Sequence, residues 1–177
     1  MLAVTIDDLA FVTADAIARP VNAELRAITP VIRRLEQAGG ETLLGQLRVN
    51  EPLDVGAAVV TGGGALAAPL MIHAVVATDA ERVSRGGVRR ATLSALQRAR
   101  DFDVAHLALA PFGLGAGNLD VDESARAMCE ALCESMRASS GDHRRRGAAP
   151  AAVTLVVETE YEAEAFRAAA TRSGLSS

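Results

Sequence analysis

The apolar positions alternate weakly over residues 1–6, a pattern that suits a first strand. Residues 15–18 form a short apolar stretch and supply a second strand. Helical spacing follows over residues 22–47, with Leu25, Ile28, Ile32 and Leu35 on one face. Pro30 restricts where this helix can begin, because proline is tolerated only in a first turn. Gly39-Gly40 should end or bend it. Residues 55–61 and 65–76 read as two strands around a tight turn at Gly62-Gly63-Gly64. Residues 85–100 form an amphipathic helix, with Val88, Leu93 and Leu96 inward and arginines outward. Residues 105–112 are continuously apolar except for His106, the pattern of a central strand covered on both faces. A glycine-rich loop over 113–118 precedes a helix over 120–137. Residues 153–157 give a last strand and 161–170 a last helix.

Strands alternating with helices predict an α/β fold: three layers, α/β/α, around a mixed, mostly parallel sheet. A length of 177 residues fits one domain over 1–177. Residues 139–149, rich in Ser, Gly, Ala and Pro, are expected to form a flexible loop, and 172–177 a loose tail. No internal repeat is visible.

Composition narrows this picture. Half of the residues are hydrophobic but only 3% are aromatic, so the core must be built from small and β-branched side chains. All 18 basic residues are arginine, and the net charge is −4. A duplex-binding protein needs a basic stripe, so no nucleic-acid partner is expected. The run Arg144-Arg145-Arg146 reads as a solvated loop. Cys129 and Cys133, four residues apart, share one helix face and read as small buried residues. Neither has a His or Cys partner at ligand spacing, so no metal site and no cofactor are called for. No charge-free apolar run reaches about 18 residues, and the N-terminus lacks a basic, apolar and cleavable sequence. The expectation is a cytoplasmic chain without a membrane segment; self-association is left open.

The local signal for chemistry is Phe112-Gly113-Leu114-Gly115-Ala116-Gly117-Asn118, which joins a buried strand to a helix. Glycines let the backbone turn sharply and approach a ligand. The following helix start offers N–H groups and positive dipole, which suit a phosphate. A tight connection capped by Asn118 or Asp120 explains the same residues equally well. The loop is not a Rossmann fingerprint, whose third glycine would fall on Asn118, nor a Walker loop. Gly62-Gly63-Gly64 has no helix after it and reads as a hairpin turn. His73 and His106 lie in apolar strands and read as core histidines; His143 lies in the expected loose loop. Asp7-Asp8 follows the first strand, where a carboxylate can accept from a base amino group or cap a turn.

Taken together, these pieces resemble bacterial macrodomains over nearly the whole chain. That family opens with a strand and Gly-Asp-Ile, here Asp7-Asp8-Leu9. Its Asp-Ala-Ile-Val-Asn-Ala-Ala-Asn is matched by Asp15-Ala16-Ile17-Ala18-Arg19-Pro20-Val21-Asn22. A hairpin ending in an Ile-His strand is matched by Val59-Val60-Thr61-Gly62 through Met71-Ile72-His73-Ala74. Its Pro-Leu-Leu-Gly-Thr-Gly-x-Gly-Gly-Leu is matched from Ala110 to Leu119.

The resemblance implies a ligand of the ADP-ribose type. Asp8 is then the acceptor for the adenine amino group, and Asn22 serves the distal ribose. Gly113, Leu114, Gly115, Ala116, Gly117 and Asn118 wrap the diphosphate with backbone N–H groups. The chain also departs from the family. The first asparagine is Arg19, and the first glycine-rich loop is replaced by Ile28-Thr29-Pro30-Val31. Ile28 is β-branched and Pro30 has no N–H, so this loop cannot donate as glycines would. Ile32 and Arg33 stand where hydrolytic members carry an Asp. The adenine-side aromatic aligns near Glu158, with Tyr161 three residues later. Arg19, Arg33 and Arg34 are either substitute phosphate ligands or surface residues. Binding without strong catalysis is the expected function. An ADP-ribosyl hydrolase, or an interaction module whose cleft is filled by Ile28 and Phe112, is the alternative.

Overall fold

The computed structural model describes residues 1–48, 51–115, 118–141 and 148–175. In chain order its elements are β1 (Leu2–Ile6), a 3-10 turn (Leu9–Phe11), β2 (Ala16–Asn22), α1 (Pro30–Gln46), β3 (Ala58–Gly62) and β4 (Leu70–Ala77). These are followed by α2 (Arg85–Asp101), β5 (His106–Leu109), α3 (Val121–Gly141), β6 (Ala152–Val157) and α4 (Glu160–Arg172). The six strands form one sheet in the order β1-β6-β5-β2-β4-β3. All neighbours are parallel except β3, which runs antiparallel to β4.

Alternation along the strands divides the core between two faces. Ala16, Ala18, Leu107, Leu109, Val153 and Leu155 pack with residues of α2, α3 and α4. Ile17, Ala108 and Val156, on the other face, pack with Leu9 of the 3-10 turn and with Ile32, Leu35 and Leu43 of α1. Both faces of the central strands are thus covered, as their apolar sequences require. Cys129 and Cys133 are buried, unbridged thiols, and burial raises the Cys129 thiol pKa to about 12.

The chain between Asn22 and Thr29 is not helical, contrary to the periodic reading. The Asn22 Oδ1 accepts from the N–H groups of Glu24 and Arg26. Leu25 adopts φ 63°, and Val21 bridges back to Ala27. The helix starts at Pro30 because Thr29 caps it, its Oγ1 accepting from the Ile32 N–H at 3.3 Å. Gly40, at φ 69° and ψ −170°, kinks α1 as its sequence suggested.

The glycine run 62–64 joins the two antiparallel strands, but the connection extends over residues 63–69 and docks onto α1. A β-carbon on Gly64 would lie 2.2 Å from the Gly39 carbonyl oxygen. The same carbonyl accepts from the Ala65 N–H. Further on, α3 continues through Gly141, and residues 142–147, with His143 and Arg144-Arg145-Arg146, lie outside the described residues. Leu175 is buried, and residues 176–177 are outside the description.

Candidate functional site

β2 and β5 are adjacent and parallel, yet the helices that follow them, α1 and α3, pack on opposite faces of the sheet. A crevice opens where two such connections part, beyond the carboxyl ends of the strands. Here it holds a cavity of about 220 Å³. One wall is the start of α1, from Thr29 to Ile32, and the facing wall is Leu114 and Gly115 after β5. Its far end is formed by Asp7, Leu9, Val156, Glu158 and Glu162.

Three backbone features of this crevice suit an anion. The Val31 N–H, in the first turn of α1, has no protein acceptor among the described residues. The same holds for the N–H groups of Leu114 and Gly115. The positive end of the α1 dipole adds to these donors. Gly115 adopts φ 132° and Gly113 φ 82°, conformations closed to most side chains. The Gly113 position is doubly constrained, since a β-carbon would meet Val88 Cγ2 at 2.5 Å. Leu119 N–H bonds to Gly113 O and Asn118 N–H to Gly115 O, which fixes the loop at both glycines. Asn118 is exposed, and its Nδ2 reaches Leu114 O at 3.4 Å. Ala116 and Gly117 lie outside the described residues.

The acidic end is organised by caps. Asp8 caps the 3-10 turn, its Oδ1 accepting from the Ala10 N–H, while its neighbour Asp7 lines the cavity. Glu162 closes a capping box with Thr159 at the start of α4, and its Oε2 also accepts from the Glu158 N–H. Glu158 pairs with Arg34 of α1, so the ion pair links the two sides of this end. The sequence reading passed over Glu158 and Glu162 as site residues. The Thr159-Glu160-Tyr161-Glu162 pattern of a capping box was the signal available. Tyr161 is exposed and does not line the cavity.

Asn22 does not line the cavity either: its Oδ1 is committed to the turn after β2, and its Nδ2 has no acceptor among the described residues. Phe112 and Ile28 pack into the core on the α2–α4 face, so neither fills the crevice.

Arg19 is neither a surface residue nor a phosphate ligand. It is fully buried in β2, paired with Glu36 of α1. Its Nε donates to His73 Nδ1 at 2.8 Å, and its Nη2 donates to Leu25 O at 3.1 Å. Because His73 Nδ1 accepts, the ring proton sits on Nε2, 2.8 Å from Thr61 Oγ1. Burial, reinforced by the Arg19 charge, pushes the His73 pKa down to about 3. Burial also lowers the Arg19 pKa, against the opposing effect of Glu36. Arg33 and Arg34 are exposed on α1. His106 Nε2 meets Thr154 Oγ1 at 2.9 Å on the sheet surface. Among the described residues no cluster of His, Cys, Asp and Glu could hold a metal ion, and no helix is long and apolar enough to cross a membrane.

The chain belongs to the Macro domain family, whose pattern matches residues 18–128. It is 32% identical over 127 residues to an uncharacterised protein of Aeropyrum pernix, covering 71% of this chain and 67% of that one. It is 31% identical over 125 residues to an uncharacterised Mycobacterium tuberculosis protein, covering 71% of this chain but only 35% of its relative. The fold superposes on the Oceanobacillus iheyensis macrodomain with ADP at a TM-score of 0.79 and 17% identity, covering 96% of this chain and 89% of that one. A mutant of that macrodomain has been solved with ADPR.

Proposed function

We propose that the crevice between α1 and the β5–α3 loop binds ADP-ribose or a related nucleoside diphosphate, without strong catalysis. The observation that carries this reading is that Val31, Leu114 and Gly115, whose N–H groups have no acceptor among the described residues, all line one cavity. Such preorganised donors favour a diphosphate and cost little to order. The loop from Gly113 to Asn118, with Ala116 and Gly117 between, is assigned to this diphosphate. The adenine end lies toward Asp7 and Asp8, where a carboxylate accepts from the exocyclic amino group. The Nδ2 of Asn22, outside the cavity lining, is assigned to the distal ribose of a ligand extended along the open crevice. Structural relatives carrying ADP and ADPR support the ligand class. A cavity of about 220 Å³ is below the roughly 300–1,000 Å³ of ordinary ligand sites, so the bound ligand extends along the open crevice or parts its walls.

Weak catalysis follows from the first turn of α1, which carries no acidic residue to hold a water against the phosphate. Ile32 is buried in the α1-side core, and Arg33 is exposed. The test is release of ADP-ribose from ADP-ribosylated protein, run beside a thermal shift with ADP-ribose. A raised melting temperature without turnover supports the reading. Turnover at ordinary enzymatic rates makes the chain a hydrolase instead.

A further inference from the structure

The face opposite α1 carries a second concavity, of about 970 Å³. Its floor is one stripe of α3: Arg126, Glu130, Cys133, Glu134 and Arg137, residues spaced to share a helix face. Arg85 and Arg89 of α2 and Arg172 of α4 complete the charged lining. Five arginines against two glutamates leave a net of three positive charges, in a chain whose own net charge is −4. Arg85 pairs with Glu130 and Arg89 with Glu134. Arg126, Arg137 and Arg172 have no acidic partner among the described residues. Arg126 and Arg137 stand about 16 Å apart along the helix, at 1.5 Å per residue.

Because the chain contains no lysine, the choice of arginine carries no message; the grouping does. Three uncompensated cations bordering one concavity repel each other, and concave walls concentrate the field they make. Among the described residues the lining offers no aromatic ring on which a base could stack, and its uncharged side chains are Cys133, Ala169 and Ser173. Recognition here is therefore ionic. Guanidinium forks match the oxygens of phosphate in pairs, and densely charged ligands engage several forks at once.

From this we infer a second binding site, for a compact multi-anion bearing several phosphate groups, between the start of α2, the outer stripe of α3 and the end of α4. The ligand chemistry has two sources, an inorganic oligophosphate or a multiply phosphorylated small molecule.

The test is calorimetric titration of the whole chain with inorganic tripolyphosphate and, separately, with inositol hexakisphosphate; the tighter of the two identifies the source. Saturable one-site binding is expected, weakening from 50 to 200 mM salt. The paired substitutions Arg126→Gln and Arg172→Gln should weaken it at least tenfold, whereas Arg48→Gln, beyond α1 and outside the groove, should change it less than twofold. Both groove arginines are exposed, so the melting temperature serves as a check that the variant is folded. No heat at millimolar probe overturns the proposal, and so does unchanged affinity in the folded double variant. An equal loss in Arg48→Gln shows that only the diffuse charge of the protein is felt. Tighter binding of an oligoglutamate peptide or of oligothymidylate in the same groove overturns the phosphate assignment.

Discussion

Gly115 and Thr29 face each other across the crevice: a β-carbon on Gly115 would lie 3.5 Å from Thr29 Cγ2. Thr29 also caps α1, so the residue that starts the helix borders the space left for a ligand. Gly115→Glu would bring a carboxylate against the free N–H groups at a backbone φ of 132°. Affinity for ADP-ribose is expected to fall at least a hundredfold, as read by calorimetry, with the fold retained. Unchanged affinity would remove this loop from the site.

Gly113 tests packing, not binding. At φ 82°, with Val88 Cγ2 only 2.5 Å from a built β-carbon, Gly113→Ala must strain the backbone or displace α2. A loss of about 1–3 kcal/mol in urea unfolding is expected. A neutral result would show that the loop adjusts freely.

The buried Arg19–His73 pair sets an acid limit on stability. In the unfolded chain His73 protonates near pH 6.5, in the fold only near 3. Between these values the unfolded state holds the extra proton. The contribution is therefore complete above about pH 6.5 and is lost as pH falls toward 3, at up to about 1.4 kcal/mol per pH unit. Urea unfolding at pH 7.5 and pH 5 should show a smaller decline for His73→Gln than for the original chain. Equal declines would mean that His73 is protonated in the fold. Arg19→Ala leaves the Glu36 carboxylate without its buried partner, for an expected cost of about 3–5 kcal/mol, read in the same experiment.

How much of this was written in the sequence depends on the residue. The run 105–112 announced a central strand, and β5 lies between β6 and β2. β2 was legible only to Ala18, because Arg19 and Pro20 break an apolar pattern. Both are tolerated for reasons of tertiary structure. Arg19 is compensated by Glu36 and His73, remote in sequence. The pairing of β5 with β2 ends where Ala110 N–H meets Ala18 O, so no strand there needs the N–H that Pro20 lacks. Leu25 kept its burial but not its helix; periodicity reported the buried side and missed the turn held by Asn22. The glycines of the phosphate-type loop were visible from composition. Their facing wall was not, since Thr29 and Val31 become donors or caps only once α1 begins at Pro30. Asp7-Asp8 stood out as a possible acceptor for a base, but its meeting with Glu158 and Glu162 was not legible, because they come from opposite ends of the chain.

The most direct measurement is calorimetric titration of the chain with ADP-ribose, with ADP and AMP as comparators. Micromolar binding is expected, strongest for ADP-ribose and weaker for AMP, which brings only one phosphate to the Val31, Leu114 and Gly115 donors. Absence of heat at millimolar ADP-ribose and ADP would contradict the account: the macrodomain fold would then stand without this ligand.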